Sequence, residues 1–108
     1  MKEAKKLKMK PRIHADEFED SGAAAVAAKI GALSADHLMA VSDKGIERLS
    51  KKKVVATVLP GTTIYLGKST FAPIRKLIDS GVQVAIGTDY NPGSCVYNSQ
   101  PLMMNFAM

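Results

Sequence analysis

The sequence has one cysteine, two histidines and no tryptophan in 108 residues. A single thiol excludes an internal disulfide framework, and Cys95 with His14 and His37 cannot complete a zinc finger or ribbon within the chain. A reducing compartment is the natural home of such a chain, so a cytoplasmic protein is expected. No apolar run approaches the roughly 18–20 residues that span a bilayer, and no apolar signal-peptide core follows the lysine-rich start, so no membrane partner is expected. Aromatic residues make up only 6% of the chain, and none lies in the basic opening segment. Residues 1–12 carry Lys2, Lys5, Lys6, Lys8, Lys10 and Arg12 against Glu3, which accounts for the whole net charge of +5. From Ile13 onward, nine basic residues oppose nine acidic ones. A basic end without interleaved rings lacks the stacking groups of single-strand binders. It reads as a solvated helix face, and no nucleic-acid partner is expected.

What is present is the composition of one soluble globular unit, 46% hydrophobic and 23% charged, with room for a single domain over residues 1–108. Short β-branched runs alternate with longer helical stretches, the order of βα units on a parallel sheet. Met1 to Met9 reads as a charged helix stopped by Pro11. Arg12 to Ala15, Ser34 to Leu38, Val54 to Leu59 and Val82 to Gly87 read as strands. Between them, Asp20 or Ser21 is expected to cap a helix over Gly22 to Ile30, and Ser42 one running through Lys52. Pro60-Gly61 reads as a turn opening a long connection. Thr70 is expected to cap a helix with Ile74, Leu77 and Ile78 on its apolar stripe, and a last helix starts at Asn98. The fold class is therefore α/β. Four parallel βα units are half of a TIM (β/α)8 barrel, whose usual size is about 250 residues. A flavodoxin-like open sheet is the competing architecture, but no glycine-rich phosphate loop follows the first strand. Polar residues instead gather after several different strands.

Those polar residues carry the candidate chemistry. His14-Ala15-Asp16-Glu17 closes the first strand, where an imidazole and a nearby carboxylate can divide the labour of metal ligand and proton carrier. The same residues also read as a surface histidine before an acidic helix start. His37 ends the second strand, on the same expected rim as His14. Thr88-Asp89-Tyr90-Asn91-Pro92-Gly93-Ser94 follows the fourth strand, placing the Asp89 carboxylate at the mouth with Asn91 and Ser94 as neutral hydrogen-bonding groups. A chain-reversing Asx turn is the alternative reading of that loop.

The blocks Arg12-Ile13-His14-Ala15-Asp16-Glu17-Phe18, Ser34-Ala35-Asp36-His37-Leu38, Leu59-Pro60-Gly61-Thr62-Thr63, Tyr65-Leu66-Gly67-Lys68-Ser69-Thr70 and Thr88-Asp89-Tyr90-Asn91-Pro92-Gly93-Ser94 closely resemble the imidazolonepropionase family of the metal-dependent amidohydrolase superfamily. The resemblance runs from about Pro11 to the end and matches the carboxyl-terminal half of that family's barrel. It implies ring-opening hydrolysis of the small molecule 4-imidazolone-5-propanoate to N-formimidoyl-L-glutamate, a step of histidine degradation, with one zinc or iron ion. It further implies His14 and Asp89 as metal ligands, Glu17 as substrate-binding and water-activating residue, and His37 as the group that polarises the ring carbonyl. Asn91, Gly93 and Ser94 are implied to hold substrate or product groups. The family completes its metal site with a His-x-His pair that this sequence does not contain. Two ligands fall below the usual three of a catalytic zinc site, so the chain alone is expected to bind metal weakly and not to turn over substrate. Its expected partner is the missing N-terminal half of the barrel or a second copy. Two alternatives stay open: another cyclic amidohydrolase or deaminase of the superfamily, and a non-catalytic half-barrel assembly module with open sheet edges.

Overall fold

Four short strands, β1 (Arg12–Ala15), β2 (Ser34–His37), β3 (Val55–Val58) and β4 (Val84–Ile86), pair in parallel in the order β1-β2-β3-β4 in a computed structural model that describes residues 2–108. The register runs Ile13 to Ala35, Ala35 to Ala56 and Ala56 to Val84 across the sheet. Parallel neighbours need crossovers, and helices supply them: α2 (Ala23–Ile30), α3 (Asp43–Lys52), and the short α4 (Pro60–Tyr65) and α5 (Ile74–Asp79). Helix α1 (Lys2–Lys6) precedes the sheet and α6 (Gln100–Phe106) follows it. This is a partial (β/α) barrel unit, as the alternation of rhythms in the sequence predicts. Among the described residues no helix is long and apolar enough to cross a membrane.

The pleat sends alternate side chains to opposite faces. Ala15, Ala35, Ala56 and Val58 point into the core, where they meet Ala24, Ala27, Ala28, Leu49, Val54 and Leu77. Methyl side chains at these contacts let α2 lie close to β1 and α3. The opposite face carries Arg12, His14, Asp36 and Thr57, with Arg12 donating to Ser34 Oγ at 3.0 Å and to both Asp36 carboxylate oxygens at 3.2 Å. Because all four strands run the same way, their carboxyl ends form one rim.

Four local expectations need correction. The connection after β3 is not an open turn: Pro60 starts α4 at its first position, where a missing N–H costs nothing. Gly61 belongs there because a Cβ on it would come within 2.6 Å of Met103 Sδ. Thr70 does not cap α5, which begins after Pro73. Neither Asp20 nor Ser21 caps α2 with its side chain; Gly22 occupies the cap position and Asp16 supplies the acceptors. Ile78 is 44% exposed while Leu77 is fully buried, since a helix of six residues turns only a narrow face inward. Leu77→Ala is therefore expected to cost about 2–5 kcal/mol and Ile78→Ala no more than about 0.5 kcal/mol, read by urea denaturation.

Candidate active site

Strain gathers at the rim. Among the described residues six non-glycine positions have positive φ, and four of them, Asp16, His37, Leu38 and Asp89, follow or end β1, β2 and β4. Bulky side chains in this region cost about 1–3 kcal/mol and persist where surrounding contacts over-determine them. The contacts here are specific. Leu38 N–H donates to Ala15 O at 2.9 Å and Ala40 N–H to Asp16 O at 2.8 Å, tying the end of β2 to that of β1. The buried Asp16 carboxylate accepts from Ser21 N and Oγ at 3.1 and 2.9 Å and from Ala23 N and Ala24 N at 3.0 Å. It thereby satisfies two of the free N–H groups that open α2 and places a negative charge at the positive end of that helix.

This stitching brings His14, Glu17 and His37 together, with ligand-type atoms all within 4.8 Å of one another. His14 Nε2 lies 2.9 Å from Glu17 Oε2, and His37 Nδ1 lies 3.8 Å from Glu17 Oε1. The two imidazole rings are 4.2 Å apart, tilted by 44°. Glu17 and His37 are buried and His14 is exposed. His37 Nδ1 is buried and has no hydrogen-bond partner within the described chain, so it can bond a group that enters the site. Burial holds the His37 pKa below the ordinary histidine value and the neighbouring His14 acts in the same direction, against the carboxylates of Glu17, Asp89 and Asp36. His37 is accordingly a neutral imidazole at pH 7.

Asp89 lies outside this group of three. Its Oδ2 accepts from Thr62 Oγ1 at 2.8 Å, although its charge still bears on His37. The loop beyond it closes on itself. Asn91 Oδ1 accepts from Gly93 N at 2.9 Å and Ser94 N at 2.8 Å, and Asn91 Nδ2 donates to Asp89 O at 2.7 Å and Ser94 Oγ at 2.8 Å. In this form Asn91, Gly93 and Ser94 serve one another in an Asx turn. Two residues that the sequence did not single out complete the site. Asp16 read as one more acid of a helix start, and the only hint of its role was a Ser-Gly pair five residues on. Thr62, fully buried, had no visible signal beyond following Pro60-Gly61.

Comparison with known proteins follows the same lines. No protein-family model matches the chain. It is 57% identical over 106 residues to the imidazolonepropionase of Bacillus cytotoxicus and 56% identical over 105 residues to that of Bacillus thuringiensis. These matches cover 98% and 97% of this chain but 25% of each relative, so the chain spans about a quarter of the length of the curated relatives it matches. Among solved structures, Arabidopsis ADAL complexed with IMP superposes with a TM-score of 0.78 at 13% identity, over 98% of this chain and 32% of that one. A zinc-bound adenosine deaminase from Xanthomonas campestris gives 0.75 at 20% identity, over 98% and 27%. At such identities the likeness concerns the fold alone.

Asp16→Ala is expected to cost about 1–3 kcal/mol, the loss of a helix cap together with charge-assisted bonds. Thermal or urea unfolding checks this, and a change below about 0.5 kcal/mol would contradict the anchoring role.

Proposed function

We propose that this chain, 57% identical over 98% of its length to an imidazolonepropionase of which it spans about a quarter, supplies one side of an active site that opens the cyclic amide of 4-imidazolone-5-propanoate to N-formimidoyl-L-glutamate. The observation that carries this reading is the cluster of His14, Glu17 and His37 on the carboxyl rim of a parallel sheet, with His37 Nδ1 buried and unpartnered.

The donor set suits a borderline metal. Imidazole nitrogen with carboxylate oxygen fits zinc or iron, and His14 and Asp89 are the ligands in this proposal. Such an ion, when bound, supplies Lewis acidity and a nucleophile available at neutral pH. The protein's own groups do the rest. Glu17, held between the two histidines, orients the attacking water and takes its proton. His37, neutral because it is buried, donates an N–H to the ring carbonyl as negative charge develops there. Glu17 then returns that proton to the ring nitrogen as the C–N bond breaks, directly or by way of Asp89. Asn91, Gly93 and Ser94 hold substrate or product groups once the turn opens its internal bonds to them. Full activity needs further ligands, which we assign to a barrel segment carrying a His-x-His pair and joining β1 or β4 at the open sheet edges.

Two outcomes are expected. Zinc binding to the 108-residue chain, measured by chelator competition, is weak. His14→Ala and Asp89→Asn weaken it further by about 10–100-fold, whereas loss caused by His37→Ala with Asp89→Asn silent would move the ligand role to the compact cluster. With substrate the chain alone forms no N-formimidoyl-L-glutamate, and the product appears when a segment bearing the His-x-His pair is co-expressed. Ammonia without ring opening would point to a deaminase instead.

A further inference from the structure

Of the two proposed metal ligands, Asp89 stands apart from the compact cluster, and a neighbouring helix holds its carboxylate. β3 and β4 end side by side, Val58 opposite Ile86, and Gly87 N–H donates to Val58 O at 3.1 Å. A Cβ on Gly87 would come within 2.9 Å of Leu59 Cδ2, so the two chains stay close as they leave the sheet. Helix α4 starts at Pro60, just after β3, and brings Thr62 beside the loop that carries Asp89. Packing sets its depth. Met103 and Cys95 press on Gly61, and the Cys95 thiol reaches the backbone oxygen of Thr88, next to Asp89, at 3.1 Å.

Thr62 is fully buried, and its hydroxyl has a single proton to give. A threonine inside a helix often bonds back to a carbonyl of the preceding turn. Here the proton goes instead to Asp89 Oδ2 at 2.8 Å, while the next residue, Thr63, donates to Met39 Sδ. The main chain of Asp89 is held as well, since Asn91 Nδ2 donates to its backbone oxygen at 2.7 Å. Asp89 has a left-handed backbone, φ 51°, and these two bonds leave it little freedom. Among the described residues no donor reaches Asp89 Oδ1, and that oxygen is not buried.

We propose that Thr62 is a positioning residue whose buried hydroxyl occupies Asp89 Oδ2 and so presents Oδ1 alone as the metal-binding oxygen. The proposal rests on Asp89 being a ligand of the site described above. An unrestrained aspartate side chain loses rotamer freedom when it is fixed on an ion. With Thr62 in place that loss is incurred on folding, and Oδ2 is withheld from the ion. Hydrogen bonds that orient a ligand in this way typically change metal affinity by about 10–100-fold.

The test titrates zinc into the 108-residue chain and follows the backbone amides of His14, Asp89 and Tyr90 by NMR. Thr62→Val replaces the hydroxyl by a methyl of the same shape and is expected to weaken zinc binding about tenfold. Thr62→Ser, which keeps the donor and loses the methyl, is expected to stay within about twofold of the parent chain. Asp89→Gly tolerates the left-handed backbone and removes both oxygens; in that background Thr62→Val is expected to change affinity by less than about twofold. Unchanged Leu49 and Leu77 amides verify the fold, and where valine disturbs them, Thr62→Ala set against Thr62→Ser makes the same comparison. Parent-like affinity in Thr62→Val, an equal loss in Thr62→Ser, or an undiminished effect of Thr62→Val in the Asp89→Gly chain overturns the positioning role. If Asp89→Gly weakens binding and Thr62→Val does not, the positioning role fails while Asp89 stands as a ligand. If Asp89→Gly leaves zinc affinity unchanged, or zinc shifts neither His14 nor Asp89 in the parent chain, the metal assignment and the positioning role fall together.

Discussion

The Asp16 carboxylate, buried just after β1, accepts four hydrogen bonds, two from Ser21 and two from the first turn of the following helix, while the Asp16 backbone oxygen accepts a fifth from Ala40. A buried carboxylate is costly unless its lone pairs are filled. Here Ser21 N and Oγ fill half of them and the opening N–H groups of α2 the other half, and those helix N–H groups would otherwise be orphans themselves. This reciprocal arrangement fixes a loop that must leave β1 through a left-handed residue. It thereby sets the positions of His14 just before it and Glu17 just after it. The cluster of His14, Glu17 and His37 depends on this anchor more directly than on any apolar contact.

The packing beneath the rim works to the same end. Alanines at the β1, β2, β3 and α2 contacts give a thin core in which α2 lies close to the sheet, and close approach is what brings Ala23 N and Ala24 N within reach of Asp16. On the other face the strands carry polar groups, including the Arg12–Asp36 pair. The helical side supplies stability, and the open face and the rim carry the polar groups. Strain at His37 and Leu38 is tolerated because backbone bonds to Ala15 and Asp16 over-determine those residues.

Charge is divided with equal economy. Glu17, Asp36 and Asp89 raise the proton affinity of His37, yet desolvation outweighs them and leaves the ring neutral. A neutral imidazole can donate to a carbonyl and remain available for proton exchange, which a permanently charged group cannot do.

The strands, the helices α2 and α3 and the rim positions of His14, His37 and Asp89 were legible in the chain itself. They depend on local signals: the β-branched residues of β3 and β4, Ser42 before α3, and polar residues just after apolar runs. The resemblance to imidazolonepropionases was legible for the same reason, since it lies in contiguous blocks. Helix α4 was hidden because Pro60-Gly61 reads as a turn until Met103 and Cys95 are seen to press on Gly61. Ile78 looked like core because periodicity does not reveal how narrow a face α5 buries. The gathering of His14, Glu17 and His37 into one group, the apartness of Asp89 beside Thr62, and the capping role of Asp16 were decided only in three dimensions. Each joins residues on different elements, and such meetings are set by strand register and by the depth of helix packing, neither of which a neighbouring residue encodes.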